Sequence, residues 1–219
     1  EPLASSEAIL TEDEKQVGVI LADIGGGTTD IAVFKDGSIW HTSILPVAGY
    51  QLTRDIAIGL GLPFDVAEEM KKRYGSVLPI YEGRAESTNV MAEDGHGASY
   101  QDLCDILRAR IEEILRLILL ELPRSEYEAL VPAGLVLTGG GANLPGADIL
   151  GRDILRLPVR VGVPTNISGI TDTLRDPAYA TSVGLLLWGA RHEGRRDWKS
   201  NGLGGGLRRV MTRFKSLFN

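Results

Sequence analysis

The chain has 219 residues, room for one large domain or two small lobes, and its 43% hydrophobic and 24% charged content is that of an ordinary globular protein. No apolar run approaches the roughly 20 residues that cross a bilayer, the single cysteine, Cys104, excludes an internal disulfide, and the three histidines stand at no metal-ligand spacing. The net charge of −6 hides an asymmetry: from residue 195 on, seven basic side chains meet only Asp197, which makes that segment +6 and the preceding body −12.

The chain opens on Glu1-Pro2-Leu3 with no methionine and nothing resembling a signal peptide, and the expectation is a fragment whose N-terminal part is missing. Residues 2–10 carry the small and apolar side chains of a short helix, and 11–15 are a polar connection. Residues 19–22 form an apolar run that reads as a buried strand, and it ends on Asp23 where three glycines begin. Gly25, Gly26 and Gly27 can turn their N–H groups inward toward an anion, and Thr28 and Thr29 add hydroxyl donors at the same rim. Ile31 and Val33 resume a strand, Asp36-Gly37 is a hairpin signal, and 38–45 is the returning strand. A Walker A loop and a Rossmann turn both lead into a helix, so this strand, turn and strand order is neither. A glycine-rich β-turn with an incidental aspartate is the plainer reading of the same residues.

After Pro46, Leu52, Ile56, Ala57 and Leu60 recur at helical spacing, and a second helix runs from Pro63 through Val66, Ala67 and Met70 to a stop at Gly75. Glu68 and Lys71 are three apart and share a face of that helix; as a surface ion pair they contribute only ~0.2–0.5 kcal/mol. Residues 76–99 show only a weak strand signal at 88–91. A long helix spans 100–122, striped by Leu103, Ile106, Leu107, Ile111, Ile114, Leu115, Ile118 and Leu119, and Pro123 prevents its continuation. At 135–143 an apolar strand again runs into three glycines, Gly139, Gly140 and Gly141, followed by a helix through Ile149, Leu150 and Leu155. Either the glycines let a flat ring lie on the backbone or they form a helix-entry turn. A fifth strand is expected at 159–163 and a closing helix at 177–188, where Ala180 and Gly184 permit close packing.

Residues 191–206 are polar and glycine-rich, a flexible linker. Beyond them Leu207, Val210, Met211, Phe214, Leu217 and Phe218 fall on one helical arc of about 120°, with Arg208, Arg209, Arg213 and Lys215 on the remainder. A tethered basic helix with an apolar face suits an anionic membrane surface, whereas a helix docked on its own core has little use for four cations. Nucleic acid is not expected as a partner, because the acidic body repels a polyanion.

These pieces, in this order, resemble the C-terminal half of an actin-like ATPase, a fold shared by actin, heat-shock ATPases, sugar kinases and bacterial cytoskeletal proteins. Within that superfamily the chain resembles the FtsA family of bacterial cell division proteins, through DIGGGTTDIAVFKDG, GYQLTRDIAIGLG, AEEMKKRYG, GLVLTGGGANLPG, PVRVGVPTNISGITD and PAYATSVGLLLWG. The resemblance implies an α/β, ribonuclease H-like lobe with a five-stranded mixed sheet flanked by helices, an inserted smaller α+β subdomain and a C-terminal amphipathic helix. It divides the chain into a core subdomain (1–46 and 132–190), an insertion (47–131), a linker (191–206) and a membrane-targeting helix (207–219). It places Asp23 as the catalytic-side carboxylate near Mg²⁺, reached through water, and Gly25, Gly26, Gly27, Thr28 and Thr29 around the β- and γ-phosphates of ATP. Glu68 and Lys71 then face the ribose and adenine, with Gly139, Gly140 and Gly141 under the base. The implied protein tethers FtsZ polymers through the acidic FtsZ C-terminal tail, with Arg110 as the matching basic contact, to the cytoplasmic face of the membrane at the division site. It self-associates into filaments and is at most a weak ATPase. The rivals are a pilus-assembly relative of the same fold and a sugar-kinase-type phosphotransferase.

Overall fold

The computed structural model describes residues 1–78, 89–122, 131–165 and 171–193. The expected linker from residue 194 on and the amphipathic helix at 207–219 lie outside the described residues. Helices α1 (Pro2–Ile9) and α2 (Glu12–Val17) lead into strands β1 (Val19–Ile24), β2 (Thr29–Lys35) and β3 (Ser38–Leu45). Helices α3 (Gly49–Leu60) and α4 (Phe64–Tyr74) follow, then a small hairpin of β4 (Asn89–Met91) and β5 (Gly97–Ser99) and the long helix α5 (Tyr100–Leu120). Strand β6 (Leu135–Thr138), a 3-10 turn (Gly140–Asn143), helix α6 (Ala147–Leu155) and strand β7 (Val159–Val161) come next. A short helix α7 (Thr171–Leu174), a second 3-10 turn (Pro177–Tyr179) and helix α8 (Ala180–Glu193) complete the described elements.

The five strands form one mixed sheet in the order β3-β2-β1-β6-β7, antiparallel on the β1-β2-β3 side and parallel from β1 to β6 to β7. The hairpin signal at Asp36-Gly37 is real: both residues have positive φ, 52° and 72°, as a turn that matches the strand twist requires. Every residue of β1 is buried, which identifies it as the central strand.

Alternation along β1 sorts the two cores. Ile20, Ala22 and Ile24 face a large apolar cluster with α3, α4, α5 and α6, while Val19 and Leu21 face a smaller one with Ala8 and Ile9 of α1 and Ala180 and Val183 of α8. The predicted stripe of α5 is the spine of the larger core: Leu103, Leu107, Ile111, Ile114, Leu115 and Ile118 are all fully buried. Each such side chain contributes roughly 1.5–3 kcal/mol on burial, so this one helix holds much of the larger core together. On the other face α1 and α8 meet backbone to backbone, since a Cβ at Gly184 would lie 1.7 Å from the Ala4 carbonyl oxygen. The closing helix starts as a 3-10 turn and then runs to Glu193, three residues into the segment read as linker.

Candidate functional site: a cavity between two glycine turns

Strands β1 and β6 are parallel neighbours, with Asp23 opposite Thr138, so both glycine turns emerge at the same sheet edge. That edge is the C-terminal end of the parallel strands, where open α/β sheets bind ligands. Above it lies an open cavity of about 1020 Å³. Its walls include Asp23, Gly25, Gly26 and Gly27 on one side and Gly139, Gly140, Gly141 and Asn143 on another, closed by Gly49, Tyr50 and Thr53 of α3 and Phe64, Glu68, Lys71 and Lys72 of α4. Glu1 and Thr181 also reach it. Residues as far apart in sequence as Glu1 and Thr181 are thus brought to one space, and all but Thr28 and Thr29 of the expected nucleotide-site residues are among them.

The first turn is fixed by its carbonyls. Gly49 N–H donates to the Gly25 oxygen at 3.0 Å and Tyr50 N–H to the Gly26 oxygen at 2.6 Å, so the first turn of α3 spends its free donors on the loop. Gly26 and Gly27 are solvent-exposed, a Cβ on either would meet nothing within 4 Å, and among the described residues no acceptor takes their N–H groups. Those two donors are left unspent at an exposed turn, as an anion cradle requires. Thr28 and Thr29 are not among the residues that line the cavity, and their hydroxyls bond within the protein. Thr28 Oγ1 donates to Asp30 Oδ2 at 2.9 Å, and Thr29, fully buried, donates to the Val47 carbonyl at 2.7 Å. These bonds tie the turn to the start of β2 and to the chain just beyond β3.

The three glycines of the second turn divide the work unequally. Gly139 has φ 80° and ψ 172°, a region open to glycine alone, and a Cβ there would lie 2.4 Å from Asp23 Oδ1. At Gly141 a Cβ would lie 2.4 Å from Ile24 Cγ2. These two are glycines so that β6 can pack against the end of β1. Only Gly140 offers open space in the direction of a side chain, so a flat group resting on this turn rests there. The turn is tied to the start of α8: Gly139 N–H donates to the Pro177 carbonyl at 3.2 Å, and Asn143 Nδ2 donates to Asp176 Oδ1 at 2.7 Å.

Glu68 and Lys71 are more than a surface pair. Lys71 Nζ lies 2.6 Å from Glu68 Oε2 and donates to Thr53 Oγ1 at 2.8 Å and to the Gly49 carbonyl at 3.1 Å, while Lys72 approaches Glu68 Oε1 at 3.1 Å. Thr53 Oγ1 also makes a short contact with Glu68 Oε2. Partial burial is the largest single influence on the Glu68 carboxyl and opposes its ionisation. The hydrogen bonds from Lys71, Thr53 and Lys72, with the charge of Lys71, together outweigh it and lower the pKa from 4.5 to about 2. Glu68 is therefore a carboxylate at neutral pH, able to accept from hydroxyl groups in the cavity.

Asp23 is 9% exposed. Its Oδ2 accepts from Ser5 Oγ of α1 at 2.5 Å and from Thr181 Oγ1 of α8 at 3.0 Å. Sequence reasoning missed Ser5, Thr181, Thr53 and the aromatic pair Tyr50–Phe64, whose rings stand 5.2 Å apart at the cavity rim. The visible signals were two serines in an otherwise small and apolar helix and a threonine on the buried stripe of α3, where Thr53 is 0% exposed.

Arg110 lies apart from this cavity. Its Nε lies 2.5 Å from Asp55 Oδ2, its Nη1 contacts Glu113, and the hydrogen bond to Asp55 leads the influences that raise its pKa. With Ile58, Gly59, Ile106 and Ala109 these residues line a smaller cavity of about 350 Å³ between α3 and α5.

The sheet order and the paired glycine turns define the class: this is a lobe of the actin-like ATPase fold. Two solved structures share it. The ADP-bound MreB5 of Spiroplasma citri superposes with a TM-score of 0.69 at 20% identity, over 92% of this chain and 61% of that one. The MamK double helical filament gives 0.63 at 22% identity, over 86% and 58%. The family model described as "Cell division protein FtsA" matches residues 20–184. The FtsA of Pseudomonas aeruginosa is 46% identical over 196 residues, covering 88% of this chain and 47% of the relative. The chain belongs to the FtsA family of cell division proteins, and it spans about half the length of the curated relatives it matches.

Proposed function

We propose that this chain supplies one wall of an ATP-binding cleft in a cell division protein that tethers FtsZ polymers to the membrane. The observation that carries the nucleotide reading is the opening of Gly26, Gly27 and Gly140 onto one cavity beside the Glu68–Lys71 pair. The N–H groups of Gly26 and Gly27 receive phosphate oxygens, Glu68 accepts from ribose hydroxyls, and Gly140 lets the base approach the main chain. Asp23 faces a Mg²⁺ ion through water, the ion serving to offset phosphate charge. MreB5 of Spiroplasma citri, which shares this fold, has been solved bound to ADP and bound to AMPPNP.

Calorimetry tests the reading. The full-length protein is expected to bind Mg-ATP, and this chain alone, holding one wall, only weakly or not at all. Submicromolar affinity for the isolated chain refutes the two-wall cleft, and absence of binding by the full-length protein refutes the nucleotide site.

The tether has two ends. An acidic FtsZ tail meets the α3–α5 cavity, where Ile58, 72% exposed, offers apolar contact. Arg110 is already held by Asp55 and Glu113, so the tail gains its charge only by displacing one of those carboxylates. The other end is the basic helix at 207–219, lying on anionic lipid at the cytoplasmic face of the division site. The family and the MamK filament support self-association as the third partner. No helix among the described residues is long and apolar enough to cross a membrane.

A further inference from the structure

Asp23 is held by elements that the nucleotide reading leaves without a task. Ser5 Oγ and Thr181 Oγ1 both reach Asp23 Oδ2, at 2.5 and 3.0 Å, and they lie 2.8 Å from each other. Two hydroxyl hydrogens thus serve three short contacts. Ser5 is fully buried on α1 and makes the shortest of the three, so its hydrogen goes to the carboxylate. The Thr181 hydrogen then has two acceptors of similar distance, Asp23 Oδ2 and Ser5 Oγ. The other carboxylate oxygen, Oδ1, backs onto the Gly139 Cα, where even a methyl group would lie 2.4 Å away. The carboxylate is therefore located from both sides, Oδ2 by α1 and α8 and Oδ1 by the second glycine turn. The same two helices touch backbone to backbone at Ala4 and Gly184, so the hydroxyls cannot drift from the site while the helices stay packed.

We propose that Ser5 and Thr181 are positioning residues for Asp23, fixing the carboxylate that faces the metal of a bound nucleotide; this rests on the nucleotide reading above. Neither hydroxyl sits at an N-cap: Ser5 lies within α1, with only a 3.5 Å local contact to the Glu1 carbonyl, Thr181 is the second residue of α8, and both turn to Asp23. With one oxygen clamped by two donors, the carboxylate offers a fixed acceptor direction to a metal-bound water and pays no reorientation on binding.

The test measures binding of a fluorescent ATP analogue to the full-length protein, with Mg²⁺ and with EDTA, and takes the ratio of the two affinities. Thr181→Val keeps the shape and removes the hydroxyl; it is expected to lower the ratio roughly tenfold, the scale of one lost hydrogen bond to a charged group. Thr181→Ser restores the hydroxyl and is expected to recover the ratio, which a purely structural role would not produce. Ser5→Ala, outside the cavity lining, shifts the ratio in the same direction. In an Asp23→Asn background, where the metal-facing charge is gone, Thr181→Val makes no further change. A wild-type ratio in both Thr181→Val and Ser5→Ala overturns the clamp while leaving the nucleotide site standing. Absence of any binding by the wild type overturns the nucleotide reading and the clamp with it.

Discussion

Adjacent glycines of the second turn have opposite reasons to be glycine, and alanine at each separates them. At Gly139 the backbone sits at φ 80°, ψ 172°, and a Cβ would stand 2.4 Å from Asp23 Oδ1 and 2.6 Å from the Ile24 carbonyl oxygen. Holding a non-glycine residue in that region costs about 1–3 kcal/mol, and forcing an extra methyl into packed neighbours costs about 1–3 kcal/mol more. Gly139→Ala is thus expected to lose about 2–6 kcal/mol, a large share of the ~5–15 kcal/mol that holds a typical domain folded. At Gly140 a Cβ meets nothing within 4 Å. Gly140→Ala is expected to leave stability within ~0.5 kcal/mol of the parent. Its methyl instead occupies the space a ligand's flat face would take, and nucleotide affinity falls by roughly tenfold or more, about 1.4 kcal/mol. Urea denaturation gives the first quantity and calorimetric titration with Mg-ATP the second. A Gly139→Ala protein as stable as the parent, or a Gly140→Ala protein that binds nucleotide unchanged, refutes this division of roles.

Thr29→Val removes the buried donor to the Val47 carbonyl and is expected to cost about 1–3 kcal/mol in urea unfolding, with nucleotide affinity unchanged; a selective loss of affinity would return the hydroxyl to the ligand. Glu68 has a folded-state pKa near 2 against an ordinary 4.5, so its ionised network stabilises the fold above pH 4.5 and that contribution is lost as pH falls toward 2. Glu68→Gln should therefore flatten the acid limb of a urea-midpoint titration in that window, and parallel curves for parent and variant would contradict the network. Liposomes containing anionic lipid are expected to sediment the chain, and deletion of residues 207–219 to abolish sedimentation; equal sedimentation without the tail defeats the membrane reading.

What could be read from sequence was whatever repeats locally. Strand β1 ending in glycines, the Asp-Gly hairpin, and the apolar stripe of α5 are each written within a few neighbouring residues, and all are present in the fold. The roles of single atoms were not legible, because each depends on a partner far along the chain. Thr29 looked like a ligand donor until the β3–α3 connection brought the Val47 carbonyl 18 residues away to its hydroxyl. Gly139 and Gly141 looked equivalent to Gly140 until β1 and β6 paired with Asp23 opposite Thr138 and turned Ile24 against two of the three.

The same long-range ties make the cavity a junction rather than a pocket in one element. The first glycine turn is bonded through the Gly25 and Gly26 carbonyls to the N-terminus of α3, and the second turn through Gly139 N–H and Asn143 to the start of α8. Helix α3 packs with α4 and α5 in the larger core, whereas α8 packs with α1 in the smaller one. The two turns are thus tied to helices on opposite faces of the sheet, and Asp23 on the central strand bonds to the α1–α8 side through Ser5 and Thr181. A ligand that drew the two turns together would therefore load both cores at once, through the bonds from turn to helix made by Gly49 and Tyr50 on one side and by Gly139 and Asn143 on the other.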